Sequence, residues 1–280
     1  MELGKFPPAL LENLLAKTSL DDLRVLVGPK IGEDAAIIDM GERLLVAKSD
    51  PVTFATDLIG WYAVQVNAND VACTGGVPKW FLATILVPEN FSPVEAEGVF
   101  DQVLEACQAL SVTLIGGHSE VTYGIDRPII MGSMLGEVAR EQLIRTSGAQ
   151  EGDSIVITKG IAIEGTALLA CDCAEALRQA GVDEEVISQA STLLTNPGIS
   201  VITDSRVAVR SGQVHSLHDP TEGGLITGLR ELAQASGLGL AIEADSVPGT
   251  ASVSDYLSSP RLGPSGAAGI GHSVDYFIGG

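Results

Sequence analysis

The stretch DLIGWYAVQVNANDVACTGG, residues 57–76, gives the clearest indication of the fold. It contains one apolar stripe at helical spacing, formed by Leu58, Tyr62, Val66 and Cys73. Gly75 and Gly76 follow directly, and glycine is the usual residue just past a helix end. We therefore predict a helix over residues 57–73 whose apolar stripe packs against other elements.

Apolar segments on both sides of this helix predict a sheet. Residues 35–40 and 43–50 are separated only by Gly41 and Glu42, as in a hairpin of two strands. Beyond the helix, the pattern predicts a strand at 81–88, a helix at 92–110, and strands at 112–117 and 129–138. A first helix is predicted after Pro7 and Pro8, because proline is tolerated in a first turn.

A second α/β unit is predicted to begin after Glu151-Gly152-Asp153, where the pattern breaks. Its predicted helices lie near 163–178, 183–194, 198–210 and 222–236, and its strands near 154–158, 213–217 and 238–244. From about Ser254 the chain is rich in glycine, serine and proline, which predicts an irregular tail. The predicted organisation is an α/β (α+β) fold with domains at 1–148 and 149–256 and a tail at 257–280.

The composition limits the classes of partner. With 16 Lys and Arg against 36 Asp and Glu, the formal net charge is −20, so nucleic acid and anionic membrane surfaces would repel the chain. No apolar run approaches the ~20 residues that span a bilayer, and the first residues do not resemble a signal peptide, which favours a cytoplasmic protein. The four cysteines show no paired CxxC spacing, so the sequence predicts neither a disulfide framework nor a zinc site.

Three aspartates stand at the ends of apolar segments in the first half of the chain. Asp34 lies in GEDAA, Asp50 follows Lys48-Ser49, and Asp70 lies in NANDVAC. Magnesium prefers oxygen ligands and takes a few carboxylates together with phosphate oxygens and water. Each aspartate alone equally fits a helix cap or a turn. Together they predict that carboxylates from separate elements converge on a divalent cation.

Two further motifs are candidates for phosphate binding. Gly116-Gly117-His118 follows a predicted strand, where glycine allows either a close approach of a phosphate or a tight turn. HDPTEGG, residues 218–224, precedes a predicted helix that Asp219 or Thr221 is expected to cap, and a helix N-terminus can bind an anion or be a plain capped end. The chain has no GxxxxGK[ST] loop, HExxH or GxSxG motif, and no GxGxxG that opens a helix after a strand.

Six motifs occur in a characteristic order: GEDAA, Ser49-Asp50, NANDVACTGG, GGHSE, ITKG…EGTALLA and HDPTEGG. In this order they resemble the aminoimidazole ribonucleotide synthetase-related superfamily, which includes thiamine-monophosphate kinase, selenophosphate synthetase and the hydrogenase maturation factor HypE. The overall likeness is greatest to HypE and its relatives. The resemblance implies a two-domain subunit, a homodimer in which the amino-terminal sheets form a barrel, and a cleft near it that binds ATP and Mg²⁺. The second domain of the superfamily continues beyond the point where this chain becomes rich in glycine, so we expect a truncation or a shifted reading frame after about Ser254.

The resemblance also implies roles for individual positions. The implied metal ligands are Asp34, Asp50, Asp70 and Asp219. The implied nucleotide contacts are Asn69, Gly116, Gly117, His118 and Thr221. The candidate catalytic residues are Asp34, Asp70 and Lys159, and Lys159 or Lys48 is expected to supply a cation near the phosphates.

Departures from the superfamily leave the acceptor open. His118 stands where HypE and thiamine-monophosphate kinase carry an aspartate, whereas selenophosphate synthetases often show Gly-Gly-His there. The chain ends in Tyr276-Phe277-Ile278-Gly279-Gly280 instead of the cysteine-bearing end of HypE, and no cysteine precedes Cys73 as the selenophosphate synthetase reaction requires.

We therefore expect a Mg-ATP-dependent enzyme that activates an unidentified small-molecule or protein acceptor by phosphoryl transfer. The alternatives are a non-catalytic nucleotide-binding or maturation scaffold subunit, or an activity like that of selenophosphate synthetase or thiamine-monophosphate kinase.

Overall fold

The computed structural model describes residues 4–53, 57–212, 214–243 and 247. Its strands are β1 (Val25–Val27), β2 (Ala36–Asp39), β3 (Leu44–Val52), β4 (Val77–Val87), β5 (Thr113–Val121) and β6 (Ile129–Val138). Its α-helices are α1 (Pro8–Leu15), α2 (Ile59–Cys73), α3 (Pro93–Ala109), α4 (Ile163–Asp172), α5 (Ala174–Gln179), α6 (Glu184–Ser191), α7 (Ile202–Ser211) and α8 (Gly224–Ser236). Within the described ranges, no helix is both long and apolar enough to cross a membrane.

The chain divides into two compact units. The sheet unit consists of Glu12–Gly148 and Ser200–Asp219. The helical unit consists of the described residues within Met1–Leu11, Ala149–Ile199 and Pro220–Gly280. A segment late in the sequence, which contains α7, therefore belongs to the sheet unit and brings Asp219 with it.

The sheet unit is built on one open six-stranded sheet in the order β1-β2-β3-β6-β4-β5. The predicted hairpin is confirmed, because β2 and β3 pair antiparallel. β6 pairs antiparallel with β3 and with β4, and β5 runs parallel to β4. The parallel pair needs a crossover connection, and α3 provides it.

The core of the sheet unit lies between the sheet and its helices. β4 and β6 alternate between fully buried residues on one face, such as Phe81, Ile130 and Met134, and partly exposed residues on the other. α2 packs on β3 and β6 and also contacts α3 and α7, so it is buried on nearly every side. Gly132 on β6 permits this close packing, since an added Cβ would overlap the amide of Asn67 and the ring of Phe81.

The two long helices of the sheet unit follow their sequence signals. The helices predicted at 57–73 and 92–110 are confirmed as α2 and α3. α3 begins with a capping box, in which the Ser92 hydroxyl accepts from the Glu95 amide at 3.2 Å and the Glu95 carboxylate accepts from the Ser92 amide at 2.7 Å.

The described part of the helical unit contains helices and no strands. α4 packs against α5, α6 and the π-helical turn Leu194–Gly198, and the helix predicted at 163–178 breaks at Cys173 into α4 and α5.

α8 begins at Gly224 after Gly223 with no side-chain cap, so the prediction that Asp219 or Thr221 caps it was wrong. Both residues precede that helix start by at least three positions.

The strands predicted at 154–158, 213–217 and 238–244 were wrong where the structure describes them. Residues 154–158, 214–217 and 238–243 form no strand. An apolar run becomes a strand only when a neighbouring strand can pair with it, and no described strand lies alongside these segments. The predicted tail at 257–280, and the change of composition near Ser254, lie outside the described residues.

Candidate functional site

Three buried aspartates form the acidic cluster of the sheet unit: Asp34, Asp70 and Asp219 are 8%, 4% and 7% exposed. Asp34 lies just before β2, Asp70 lies in the last turn of α2, and Asp219 ends the segment after α7. Carboxylate oxygens of Asp34 and Asp219, together with the Cys73 sulfur, all lie within 4.8 Å of one another. Residues from three distant parts of the sequence therefore lie close together. Burial raises the pKa of Asp70, and Asp219 and Asp34 are near enough for their charges to raise it further. The metal-binding roles of these aspartates stay predictions.

Lys48 on β3 connects the cluster to Asp50. Its Nζ lies 3.1 Å from Oδ1 of Asp70 and 3.2 Å from Oδ2 of Asp50. Burial alone would lower the pKa of Lys48, but the charges of Asp70 and Asp50 outweigh burial and raise it. Lys48 is therefore a fixed cation that neutralises only part of the negative charge around it.

The electrostatics of the acidic cluster call for a further cation. Burial raises the pKa of Asp219 to about 7, and the charge of Asp34 adds to the rise, while His218 and Lys48 oppose it. Burial and then the charge of Asp219 raise the pKa of Asp70 above its ordinary value. Among the described residues, Oδ1 of Asp219 and Oδ2 of Asp70 have no hydrogen-bond partner. Unsatisfied carboxylate oxygens that repel one another are the donor set that a divalent cation fits.

Asp34 is held in one orientation by the sheet unit itself. Its Oδ1 lies 2.7 Å from Nδ1 of His218, and its Oδ2 accepts a hydrogen bond from the Thr146 hydroxyl at 3.2 Å. The Ser216 hydroxyl in turn donates to the Thr146 carbonyl at 2.8 Å. Such support fixes a carboxylate before a ligand arrives, so less freedom is lost on binding.

Two asparagines of α2 position the surrounding backbone. Oδ1 of Asn67 accepts from the Asp50 amide at 2.9 Å, and its Nδ2 donates to the Ala63 carbonyl at 2.8 Å. Oδ1 of Asn69, a predicted nucleotide contact, accepts from the Val201 amide at 2.9 Å, at the start of α7. The structure thus shows a positioning role for both side chains, and the nucleotide contact of Asn69 stays a prediction.

The predicted phosphate-binding residues of β5 lie away from the acidic cluster. One row of cross-strand partners runs across β3, β6, β4 and β5, and it consists of Asp50, Gly132, Ala83 and Gly117 in that order. Neighbouring strands are ~4.8 Å apart, so Gly117 is about 14 Å from Asp50 along the sheet. One ion cannot contact both Asp50 and Gly117. Any ligand that they share has to extend along the sheet.

Gly117 also has a structural reason to be glycine. Its φ is 151°, and an added Cβ would overlap the backbone of Ala83 on β4. Gly116 has the same φ, but a Cβ there would only touch Leu82.

His118 follows the glycine pair, and its Nε2 lies 3.1 Å from Oε2 of Glu120. Both side chains are exposed. Together with Phe100 and Ile115, it lines a surface cavity of about 430 Å³. The roles of these β5 residues in nucleotide binding stay predictions.

Two predicted residues belong to the helical unit. Nζ of Lys159 donates to the Gly198 carbonyl at 3.3 Å, and the Thr221 carbonyl accepts from the Gly224 amide at 3.0 Å. Glu164, which is half-buried, lies in the same unit, where burial and the charge of Glu222 raise its pKa to about 7.

Sequence reasoning missed four residues that contact the predicted site. Cys73 and Asn67 lie in NANDVACTGG and His218 begins HDPTEGG, so three of them were inside motifs already recognised. Thr146 lies outside every motif and carried no signal.

The fold and the site define an α/β protein with a buried carboxylate cluster suited to a divalent cation. The chain belongs to the AIR synthase related protein family. The model of the family's N-terminal domain matches residues 32–138, and the model of its C-terminal domain matches residues 150–260.

Curated relatives in this family differ in their named activities. A Methanocaldococcus jannaschii protein, provisionally named a hydrogenase expression/formation protein, is 28% identical over 262 residues, which is 91% of this chain and 73% of the relative. A selenide, water dikinase of Dechloromonas aromatica is 30% identical over 277 residues, 95% of this chain and 74% of the relative.

Solved structures show the same fold. The structure of AaThiL with AMPPCP and TMP superposes with a TM-score of 0.71 at 20% identity, covering 97% of this chain and 80% of that one. The hydrogenase maturation protein HypE in complex with ATP has a TM-score of 0.59 at 20% identity, covering 96% of this chain and 70% of that one. The AIR synthase-like fold is therefore confirmed.

Proposed function

We propose that the chain is an ATP-dependent enzyme that uses Mg²⁺ and transfers a phosphoryl group to an acceptor oxygen. The observation that carries the proposal is the acidic cluster, in which Asp70 and Asp219 each keep a buried carboxylate oxygen without a hydrogen-bond partner among the described residues. Buried charges without partners are costly, so they persist where a ligand stabilises them. Relatives in the same family that bind ATP or its analogue support ATP as the nucleotide.

The proposed Mg²⁺ ligands are Asp34, Asp50, Asp70 and Asp219. The ion would neutralise phosphate charge when bound, which is its usual contribution to phosphoryl transfer. The chain's own residues position that ligand set. Lys48 fixes Asp50 and Asp70 through its two ion pairs, and His218 and Thr146 fix Asp34. Catalysis would then come mainly from orientation and fixed charge.

We propose that Gly116, Gly117 and His118 contact the nucleotide from β5 and that Asn69 contributes a further contact. Thr221 and Lys159 lie in the helical unit, and their roles as a nucleotide contact and as a cation for the phosphates stay predictions.

The acceptor is proposed as a small molecule or a protein group, because the relatives are named for different roles, hydrogenase expression or formation in one and selenide, water dikinase in another. ADP release with Mg-ATP, screened over candidate acceptors, tests the enzyme proposal against a non-catalytic scaffold. A scaffold would bind ATP without releasing ADP.

Replacing Asp70 by Asn tests the assignment of the site. The change keeps the shape of the side chain but removes a charged oxygen ligand, so we expect Mg-ATP affinity to fall at least about tenfold. Asp101→Asn is a matched control, because Asp101 is exposed on α3. Equal affinity in the wild-type and Asp70→Asn proteins would remove Asp70 from the nucleotide site.

We further propose a homodimer formed through the outer face of the sheet. This face carries partly exposed apolar side chains such as Leu82, Leu86 and Leu135, with Met131 44% exposed, and β5 is exposed along most of its length. A second copy would cover this face by an isologous contact.

Light scattering is expected to give twice the chain mass of 29.0 kDa. Met131→Glu should lower the measured mass to that of the monomer. Val94→Glu, at an exposed position of α3, should leave the measured mass unchanged. A monomeric wild-type protein that still binds ATP would contradict the dimer.

A further inference from the structure

Cys73 lies beside two aspartates of the acidic cluster, and its chemistry does not suit magnesium. It is the last residue of α2 and is 4% exposed. Its sulfur lies within 4.8 Å of carboxylate oxygens of both Asp34 and Asp219. Magnesium takes oxygen ligands, whereas thiolate selects zinc and other thiophilic cations. The pattern of cysteines along the sequence could not reveal this grouping, because its three members are far apart in the chain.

The spacing of the three groups fits one small cation. Zinc binds sulfur at ~2.3 Å and carboxylate oxygen at about 2.0–2.2 Å, which places tetrahedral ligand atoms about 3.3–3.8 Å apart. The three atoms lie within 4.8 Å of one another, so side-chain shifts of at most about 1.5 Å would bring them to this separation. Three protein ligands are also the number found at zinc sites that keep one position open.

A second observation points to a ligand at this place. Asp219 is 7% exposed, and its Oδ1 has no hydrogen-bond partner in the part of the chain that the structure describes. Asp34, by contrast, is oriented by His218 and Thr146, as metal-binding carboxylates commonly are by neighbouring hydrogen bonds. Asp34 is thus a fixed carboxylate, Asp219 has an unsatisfied carboxylate oxygen, and Cys73 adds a thiol.

We propose that Asp34, Cys73 and Asp219 form a binding site for a thiophilic divalent cation of the zinc and cobalt class. The thiol proton passes to solvent when the cation binds. The proposal rests on the proposed function only in sharing two carboxylates with the magnesium site, and it concerns the chain without nucleotide. Asp70, which pairs with Lys48, is not a member of this ligand set.

Cobalt is a suitable probe, because a thiolate bound to Co²⁺ gives a charge-transfer absorption band in the near ultraviolet. The test uses the full chain with Cys171→Ser and Cys173→Ser, which removes the exposed and half-buried thiols. Titration with Co²⁺ without nucleotide, in excess Mg²⁺, is expected to produce the band at one Co²⁺ per chain. Zn²⁺ is expected to abolish the band by displacement.

Adding Cys73→Ser should abolish the band and weaken Co²⁺ binding at least about tenfold. Cys107→Ser is the matched control, because Cys107 is also a buried helical thiol, and it should keep the band. Absence of the band in the parent protein, or its survival in Cys73→Ser, overturns the proposal.

A folding defect would not leave the proposal untested. If circular dichroism shows that Cys73→Ser does not fold, Asp219→Asn replaces it and must weaken Co²⁺ binding at least about tenfold. Unchanged affinity in that variant also overturns the proposal. Failure of Mg-dependent ADP release, with the cobalt band intact, would reject the proposed function and leave the cation site standing.

Discussion

Replacing Asp219 by Asn should stabilise the metal-free protein while it removes a proposed metal ligand. Asp219 is buried beside Asp34, and its pKa rises from the ordinary value of 3.8 to about 7. At ~1.4 kcal/mol for each pH unit between these values, the ionised carboxylate costs about 4 kcal/mol of folding free energy above pH 7. Asn has nearly the same shape and no charge, so the variant avoids this cost.

The sign of the pH dependence follows from the raised pKa. Between about pH 4 and pH 7, the folded state keeps the Asp219 proton that the unfolded state has lost, so stability falls as the pH rises. Below pH 4 both states are protonated, and the full stability is present. The wild-type protein should therefore lose about 4 kcal/mol across this range relative to Asp219→Asn.

Urea denaturation in EDTA, at several pH values between 4 and 8, measures this difference. We expect the two proteins to be equally stable near pH 4 and the variant to be more stable at pH 8. Added Mg²⁺ should stabilise the wild-type protein and have less effect on the variant, because binding to the folded state adds stability. A variant that is less stable than the wild type at pH 8 in EDTA would refute the reasoning.

Two further changes test the packing around the site. Lys48→Met removes the ion-pair partner of buried Asp70, which should lower the unfolding free energy by about 3 kcal/mol in EDTA. Added Mg²⁺ should restore part of this stability. Urea denaturation that shows no loss of stability would contradict the prediction. Gly132→Ala places a Cβ against Asn67 and Phe81, and should cost about 1–3 kcal/mol by the same measurement. Gly98→Ala is its control, since the space around Gly98 on α3 is open and the substitution should stabilise by about 0.5–1 kcal/mol. Equal unfolding free energies for the two alanine variants would show that the packing against β6 is looser than described.

Local signals in the sequence predicted most of the sheet unit. The hairpin of β2 and β3 has a short turn and two apolar runs, and α3 has its proline and capping box, so each element is specified by its own residues. The sheet order was not predictable, because placing β6 between β3 and β4 depends on contacts between distant segments. The strands predicted after residue 150 were wrong for a related reason. An apolar run does not reveal whether another strand lies where it can pair with it.

The candidate site was predictable only where recognised motifs carried it. The aspartates stand in motifs whose order resembles the family, which indicated that Asp34 and Asp70 act together. Lys48 was named as one of two alternative cations, and its ion pairs with Asp50 and Asp70 could be seen only in the structure. The sequence cannot show that Cys73 faces two carboxylates, because that contact depends on how α2 lies on the sheet.

The dependence of ATP binding on Mg²⁺ tests the central claim most directly. The acidic cluster would repel free ATP, so nucleotide binding requires a divalent cation that joins the carboxylates to the phosphates. Isothermal titration of the full chain with ATP should give a Kd at least about a hundredfold higher in EDTA than in Mg²⁺, which is about 2.7 kcal/mol of binding free energy. Equal ATP affinity in EDTA and in Mg²⁺, or no binding in either, would contradict the account.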